Sequence, residues 1–191
     1  MRLFYAWQMG HYLNGLVYQL VWESRRKDHV AMVVHHGATL ALLSVSFGFG
    51  FLRVGALIEV LHDACDVWME AAKLNIYLRW NGIASALFVV FMASWMLLRM
   101  AYFPLVIIRS TCLEAAMSIM PVFGPTPLTL AVWASFNLLL LVLLGLHCYW
   151  FYFIALIALR TMKGNPADVR SDDDEEDESP VSSPQRHRKG D

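Results

Sequence analysis

Five long apolar runs organise the chain, at about residues 3–22, 30–47, 51–77, 83–108 and 128–159, with short polar or glycine-bearing breaks between them. Some twenty apolar-dominated residues suffice for a helix to cross a bilayer. The pattern therefore predicts an all-α fold, a polytopic transmembrane helical bundle of about five spans. Glu23–Asp28, Gly48–Gly50 and Arg79–Gly82 supply three of the breaks. Pro104 is expected to kink or end the fourth helix near its final turn. Residues 109–127, with Pro121, Gly124, Pro125 and Pro127, read as a loop with room for one short helical turn. The membrane domain covers 1–163, and 164–191 reads as a disordered, acidic tail with almost nothing to bury.

The third run departs from the others, because it carries Glu59, His62, Asp63, Asp66, Glu70 and Lys73. At 100° per residue these six project within about a third of the helix circumference. Each charge at mid-bilayer costs roughly 2.5 to 3.5 kcal/mol, so the stripe must face other helices or a wet cavity. A structural reading makes it a buried ion-pair network in which Lys73 offsets Glu70 or Asp66. The functional reading makes it a site, since intramembrane ionisable residues mark function by default.

In the first run Gln8, His11 and Gln19 are expected on one interior-facing side, hydrogen bonding across helices. The second run holds the doublet His35-His36, whose side chains diverge by about 100° and cannot do the same job at one point. Counting about 1.5 Å per residue from the break near residue 49, the doublet sits about 20 Å down its helix. His62, Asp63 and Asp66 sit about 20 to 25 Å down theirs. The histidines are thus expected to meet carboxylates inside the bundle. A carboxylate fixes a histidine's tautomer and stabilises the imidazolium, which makes a competent general base and suits acyl transfer. Histidine-box metal chemistry is the competing use, but HxxxH and HxxHH boxes are absent.

Composition adds little to this. Hydrophobic residues make up 58% of the 191, and the net charge of -1 hides acids gathered at 172–178 and bases clustered at span ends. Cys65, Cys112 and Cys148 have neither disulfide nor zinc spacing and read as small buried packers. Nothing resembles a nucleotide loop, a GxSxG elbow, a cleavable signal or a nucleic-acid surface. Arg25, Arg26, Lys27, Lys73, Arg79, Arg160 and Lys163 fall on one side of five spans, which the positive-inside rule makes cytosolic. The C-terminus is then cytosolic and the N-terminus opposite, as expected of a chain whose upstream spans are missing. Ser171, followed by acids, and Ser179, followed by Pro180, suit acidophilic and proline-directed kinases.

Asp28, Met32, His35-His36, Thr39, Ser46, Phe51-Leu52-Arg53-Val54-Gly55, Leu61-His62-Asp63, Asp66, Glu70 and Ala72-Lys73 follow the order and spacing of a known motif. In these residues the chain resembles the Lag motif of ceramide synthases. The likeness extends to Arg99, Tyr102 and Pro104, to Leu146-His147-Cys148-Tyr149-Trp150, and to the tail from Arg170-Ser171-Asp172. Glu59 departs from it, standing where that family is usually apolar.

The resemblance implies a multi-pass endoplasmic-reticulum enzyme with a TLC-type bundle, N-acylating a sphingoid base with fatty acyl-CoA as co-substrate and no resident cofactor or metal. It implies His35, His36, Asp63 and Asp66 as active-site residues, with His62 in the same motif. Arg25, Arg26 and Lys27 are expected to attract CoA phosphates, although membrane anchoring explains them equally. Arg53, Glu70 and Lys73 join them as substrate-binding candidates. Acyl-chain selection would fall on the segment before the last span, at Thr111, Glu114, Met117 and Met120. Membrane lipids are further partners, and a homo- or hetero-dimer is left open. The alternative is a non-catalytic TLC-type protein that binds or moves lipid.

Overall fold

The computed structural model describes residues 1–22, 28–114, 116–117, 121 and 124–162. Arg25, Arg26, Lys27, Met120, Ser171 and Ser179 lie outside the described residues, as does the tail. The architecture is all-helical: α1 Arg2–Val21, α2 His29–Gly48, α3 Leu52–Tyr77, α4 Asn81–Ser94, and α5 Pro127–Met162. Beyond α4 the chain continues as π-helix over Trp95–Ile108 and Ser110–Glu114. It divides into two compact units, Met1–Tyr152 and Phe153–Asp191. The described part of the second is the end of α5 alone.

Among the described residues, three stretches are long and apolar enough to cross a membrane, His29–Gly48, Asn81–Glu114 and Pro127–Thr161. The molecule is thus a multi-pass membrane protein. The other two expected spans form as α1 and α3, of 20 and 26 residues, but polar side chains hold them below that apolar threshold. Helices suit this setting because lipid offers no partner to a free N–H or C=O. Leu3, Trp7, Val30, Leu105 and Leu128 stay exposed on the outside, as expected of a surface solvated by hydrocarbon.

In the first unit one core joins Ala38 and Leu42 of α2, Ile58 and Leu61 of α3, Phe103 and Ile107 of the π-helix, and Phe136, Leu140 and Leu143 of α5. A second packs Tyr5 and Tyr12 of α1 on Leu43 of α2. The α2–α3 turn passes through Gly50 at φ 79°, a left-handed conformation that glycine adopts without strain. Just inside α3, Gly55 permits close approach. A Cβ there would collide with the Tyr5 hydroxyl and stand 2.5 Å from Ser46 Oγ. Those two hydroxyls bond each other at 2.8 Å, and Tyr5 also donates to the Leu52 carbonyl.

Pro104 neither ends nor breaks its helix. It sits inside the π-helical stretch, where Arg109 N–H donates to the Pro104 carbonyl five residues back. The wider winding moves the preceding carbonyls away from the ring, relieving the clash that an α-helix would impose. Helix also runs on to Glu114, so the loop expected from residue 109 starts later. The expected seam of Gln8, His11 and Gln19 loses His11. Gln8 and Gln19 are buried with Tyr5 and Tyr12, and His11 is exposed: at about 100° per residue the four buried positions span about 60° on one side of Gln8, and His11 falls about 60° to the other side. Among the cysteines only Cys65 is buried; Cys112 is half-buried and Cys148 exposed.

Candidate active site

The stripe on α3 is graded along the helix. Glu59 and His62 are buried, Asp66 is half-buried, and Asp63, Glu70 and Lys73 are exposed. α2 runs antiparallel to α3, and the depth match holds at the rings: His35 lies 6.4 Å from His62, centroid to centroid. His35 also packs on His36 at 5.6 Å and edge-on to Trp150 of α5 at 5.4 Å. Tyr12 of α1 lies beside both, 6.1 Å from His35 and 5.8 Å from His36. Four helices thus converge on one polar centre.

The expected pairing of histidine with carboxylate is replaced by another arrangement. Asp66 Oδ1 accepts from Arg99 Nη2 at 2.6 Å, and Asp63 Oδ2 accepts from Gln8 Nε2 at 3.0 Å. The histidines turn instead to carbonyls and to one another. His36 Nδ1 lies 2.8 Å from the Met32 carbonyl, and His62 Nδ1 lies 2.7 Å from the Ile58 carbonyl. His62 Nε2 meets His147 Nε2 of α5 at 2.8 Å. The reason is local: a helical histidine ring reaches the carbonyl four residues back, whereas Asp66 is claimed by the stronger cationic donor.

Tautomers follow from these partners. A carbonyl only accepts, so His36 carries its proton on Nδ1 and, when neutral, leaves a lone pair on Nε2. That nitrogen faces α1 at Gly15, where an added Cβ would stand 2.8 Å away. His35 Nδ1 is buried with no hydrogen-bond partner, as is one oxygen of Glu59. The Arg99 guanidinium also donates to the His62 carbonyl at 2.9 Å and lies 4.0 Å over the Trp95 ring. Asp66 therefore has a matched counter-charge. Among the described residues, Asp63 is held by a neutral amide.

Several expected substrate contacts stand elsewhere. Lys73 pairs with Glu70 at 2.9 Å, but both are exposed, so the expected partner is present without the buried network. Arg53 is exposed at the opposite end of α3 from that pair, about 30 Å along the axis. One head group cannot touch both. Near the α2–α3 turn lies a cavity of about 280 Å³, lined by Phe49, Phe51, Val54, Thr111, Trp133 and Phe136 among others. Of the expected acyl-selecting residues, Thr111 is buried on this cavity, 2.8 Å from Asn137 Oδ1. Glu114 accepts from Ser110 at the surface, and Met117 is exposed.

No group of three or more His, Cys, Asp or Glu among the described residues is placed to hold a metal ion. The 2.8 Å between His62 and His147 is a hydrogen-bond separation. Two nitrogens each about 2.0 Å from one tetrahedral zinc would stand farther apart. Sequence reasoning passed over Gly15, Tyr12 and the role of His147. The last had a signal, since Phe136, Leu140, Leu143 and His147 form one helical stripe, but so apolar a run hid which face was inward.

The sequence profile of the TLC domain family matches residues 1–156. Ceramide synthase LOH2 of Arabidopsis thaliana is 41% identical over 180 residues, covering 93% of this chain and 60% of that protein. ASC1-like protein 3 of Oryza sativa subsp. japonica is 39% identical over 180 residues, covering 93% and 62%. Ceramide synthase 5 of Homo sapiens is 36% identical over 180 residues, covering 91% and 44%. The chain thus spans about 60% of the length of its plant relatives.

Proposed function

The chain belongs to the TLC domain family, and from that premise we propose that it is a ceramide synthase. It transfers a fatty acyl group from acyl-CoA to the amine of a sphingoid base, forming (dihydro)ceramide. The observation that carries this reading is the His36 ring, its tautomer set by the Met32 carbonyl, on a helix antiparallel to that of Asp63 and at nearly the same depth by helical rise, with the exposed Asp63 carboxylate held by the Gln8 amide. The relatives named ceramide synthase support it.

A thioester is already activated, so the protein must deprotonate an ammonium, orient the amine and exclude water. Asp63 binds the sphingoid ammonium. His36 Nε2 takes one of its protons, and the freed nitrogen attacks the thioester carbonyl carbon. The C–N bond forms and the C–S bond breaks; the departing CoA sulfur takes the proton held by His36, and the acylated nitrogen, still carrying two protons, passes one to the freed His36 Nε2, which releases it to solvent. His35 is the second candidate base, or a transient acyl acceptor. Arg99 holds Asp66 in place as a structural carboxylate. Arg25, Arg26 and Lys27 draw the CoA phosphates, and the acyl end runs toward the Thr111 cavity. No resident cofactor or metal takes part. The domain of residues 1–163 lies in the endoplasmic-reticulum membrane with the tail from 164 cytosolic, where Ser171 and Ser179 are the sites for kinases.

The test is N-acylation in microsomes with sphinganine and a panel of acyl-CoAs. His36→Ala and Asp63→Asn are expected to lose product while remaining folded, and the panel reveals the chain length preferred. Full turnover in both variants would remove these two residues from the chemistry, and no product from a folded, lipid-binding wild type would move the chain to the non-catalytic, lipid-binding reading.

A further inference from the structure

His147 is fully buried near the middle of α5. Its Nε2 meets His62 Nε2 at 2.8 Å. Its ring lies 5.1 Å from Phe103 and 6.1 Å from Trp95, and Trp95 Nε1 donates to its carbonyl at 3.4 Å. The pair has a direction. His62 Nδ1 must donate to the Ile58 carbonyl, so a neutral His62 keeps only a lone pair on Nε2. His147 must then donate from Nε2, which leaves its own lone pair on Nδ1. That atom is buried and without a partner, the state better tolerated by an acceptor than by a donor.

We propose that His147 is a positioning residue which, by donating its Nε2 proton to His62, occupies the last lone pair of His62 and removes that ring from proton transfer. His62 stands in the motif beside Asp63 and looks like a third base. With both nitrogens engaged it has nothing to offer a substrate ammonium. Its function is to hold position: its ring packs 6.4 Å from His35, and its carbonyl receives the Arg99 guanidinium that also grips Asp66. The chain of contacts runs from α5 through α3 to the His35-His36 doublet on α2. Its kinetic consequence rests on the acyl-transfer reading above; the hydrogen-bond order does not.

Two measurements on the full chain test it. Solid-state NMR of ¹⁵N-histidine-labelled protein in bilayers, with His62→Gln and His147→Gln to assign signals, is expected to show His62 protonated on Nδ1 and His147 on Nε2. A proton on His62 Nε2 would overturn the proposal, whatever the protein's activity. In the N-acylation assay His147→Leu is expected to lower kcat about 100-fold by loosening the site, with KM for acyl-CoA changed less than about twofold. His147→Gln, whose amide nitrogen can take the place of Nε2–H, is expected to recover most of that loss. Wild-type kcat in the leucine variant, or equal loss in both variants at equal folded yield, would also overturn it. An inactive wild type with the expected NMR pattern would count against the acyl-transfer reading and leave the pairing intact.

Discussion

The absence of a side chain at residue 15 decides how α1 can lie against His36. An alanine there would put Cβ 2.8 Å from Nε2 and 3.0 Å from Cδ2, closer than such atoms approach, so the imidazole must rotate or α1 must retreat. Gly15→Ala is expected to lower turnover about tenfold or more, since displacement of this size is costly to positioned chemistry. Thermal stability in detergent should change little. Wild-type turnover in this variant would show that the ring tolerates displacement. Arg99 makes a second residue-scale test. Arg99→Met leaves both the Asp66 carboxylate and the His62 carbonyl without their donor, and should destabilise the protein by about 2 kcal/mol. Arg99→Lys should restore part of this, as a cation of different shape, and the midpoint of thermal unfolding would read both. Much of this site was legible before any coordinates. His35, His36, Asp63 and Asp66 could be placed at one depth by counting residues, because helical rise is fixed. Their partners could not, because hydrogen-bond choice depends on what Gln8, Arg99 and His147 bring from other helices, and sequence spacing carries no record of that.

Among the elements, α3 shows how the chain manages a charged helix in a bundle. Its apolar positions join the core through Ile58 and Leu61, and its ionisable side is shared among α1, α2, α5 and the π-helix. Its C-terminal end is closed by Arg79 at φ 59°, with Arg79 N–H donating to the Ile76 carbonyl and Trp80 N–H to that of Asn75. These two bonds form a Schellman-type cap, which usually has glycine at the left-handed residue. Arg79→Gly is accordingly expected to raise stability by about 1 kcal/mol, read as a higher unfolding midpoint. A lower midpoint would mean that the arginine's interfacial charge outweighs its strain. Helix boundaries were readable to within a few residues because apolar runs and glycine or charge breaks coincide with them. The π-helix was not readable. Pro104 signals a break in any α-helical register, and nothing local announces that the backbone widens around it and continues to Glu114.

For the whole molecule, the surface is as informative as the interior. Large apolar side chains such as Leu3, Trp7 and Leu105 stand outside while Gln8, Gln19, Glu59, His62, Arg99 and His147 are drawn inward. That inversion of the water-soluble pattern is stable only where hydrocarbon surrounds the helices. It leaves a polar centre walled by apolar helices, with the cavity of about 280 Å³ toward the α2–α3 turn about 20 Å from the histidine doublet. We propose that this centre performs N-acyl transfer. The most direct measurement is mass spectrometry of dihydroceramide in membranes of a host lacking its own ceramide synthases, expressing this chain and supplied with sphinganine and acyl-CoA. Product is expected from the wild type and is expected to disappear in His36→Ala at equal membrane abundance. Undiminished product from His36→Ala, or none from a folded wild type, would contradict that proposal.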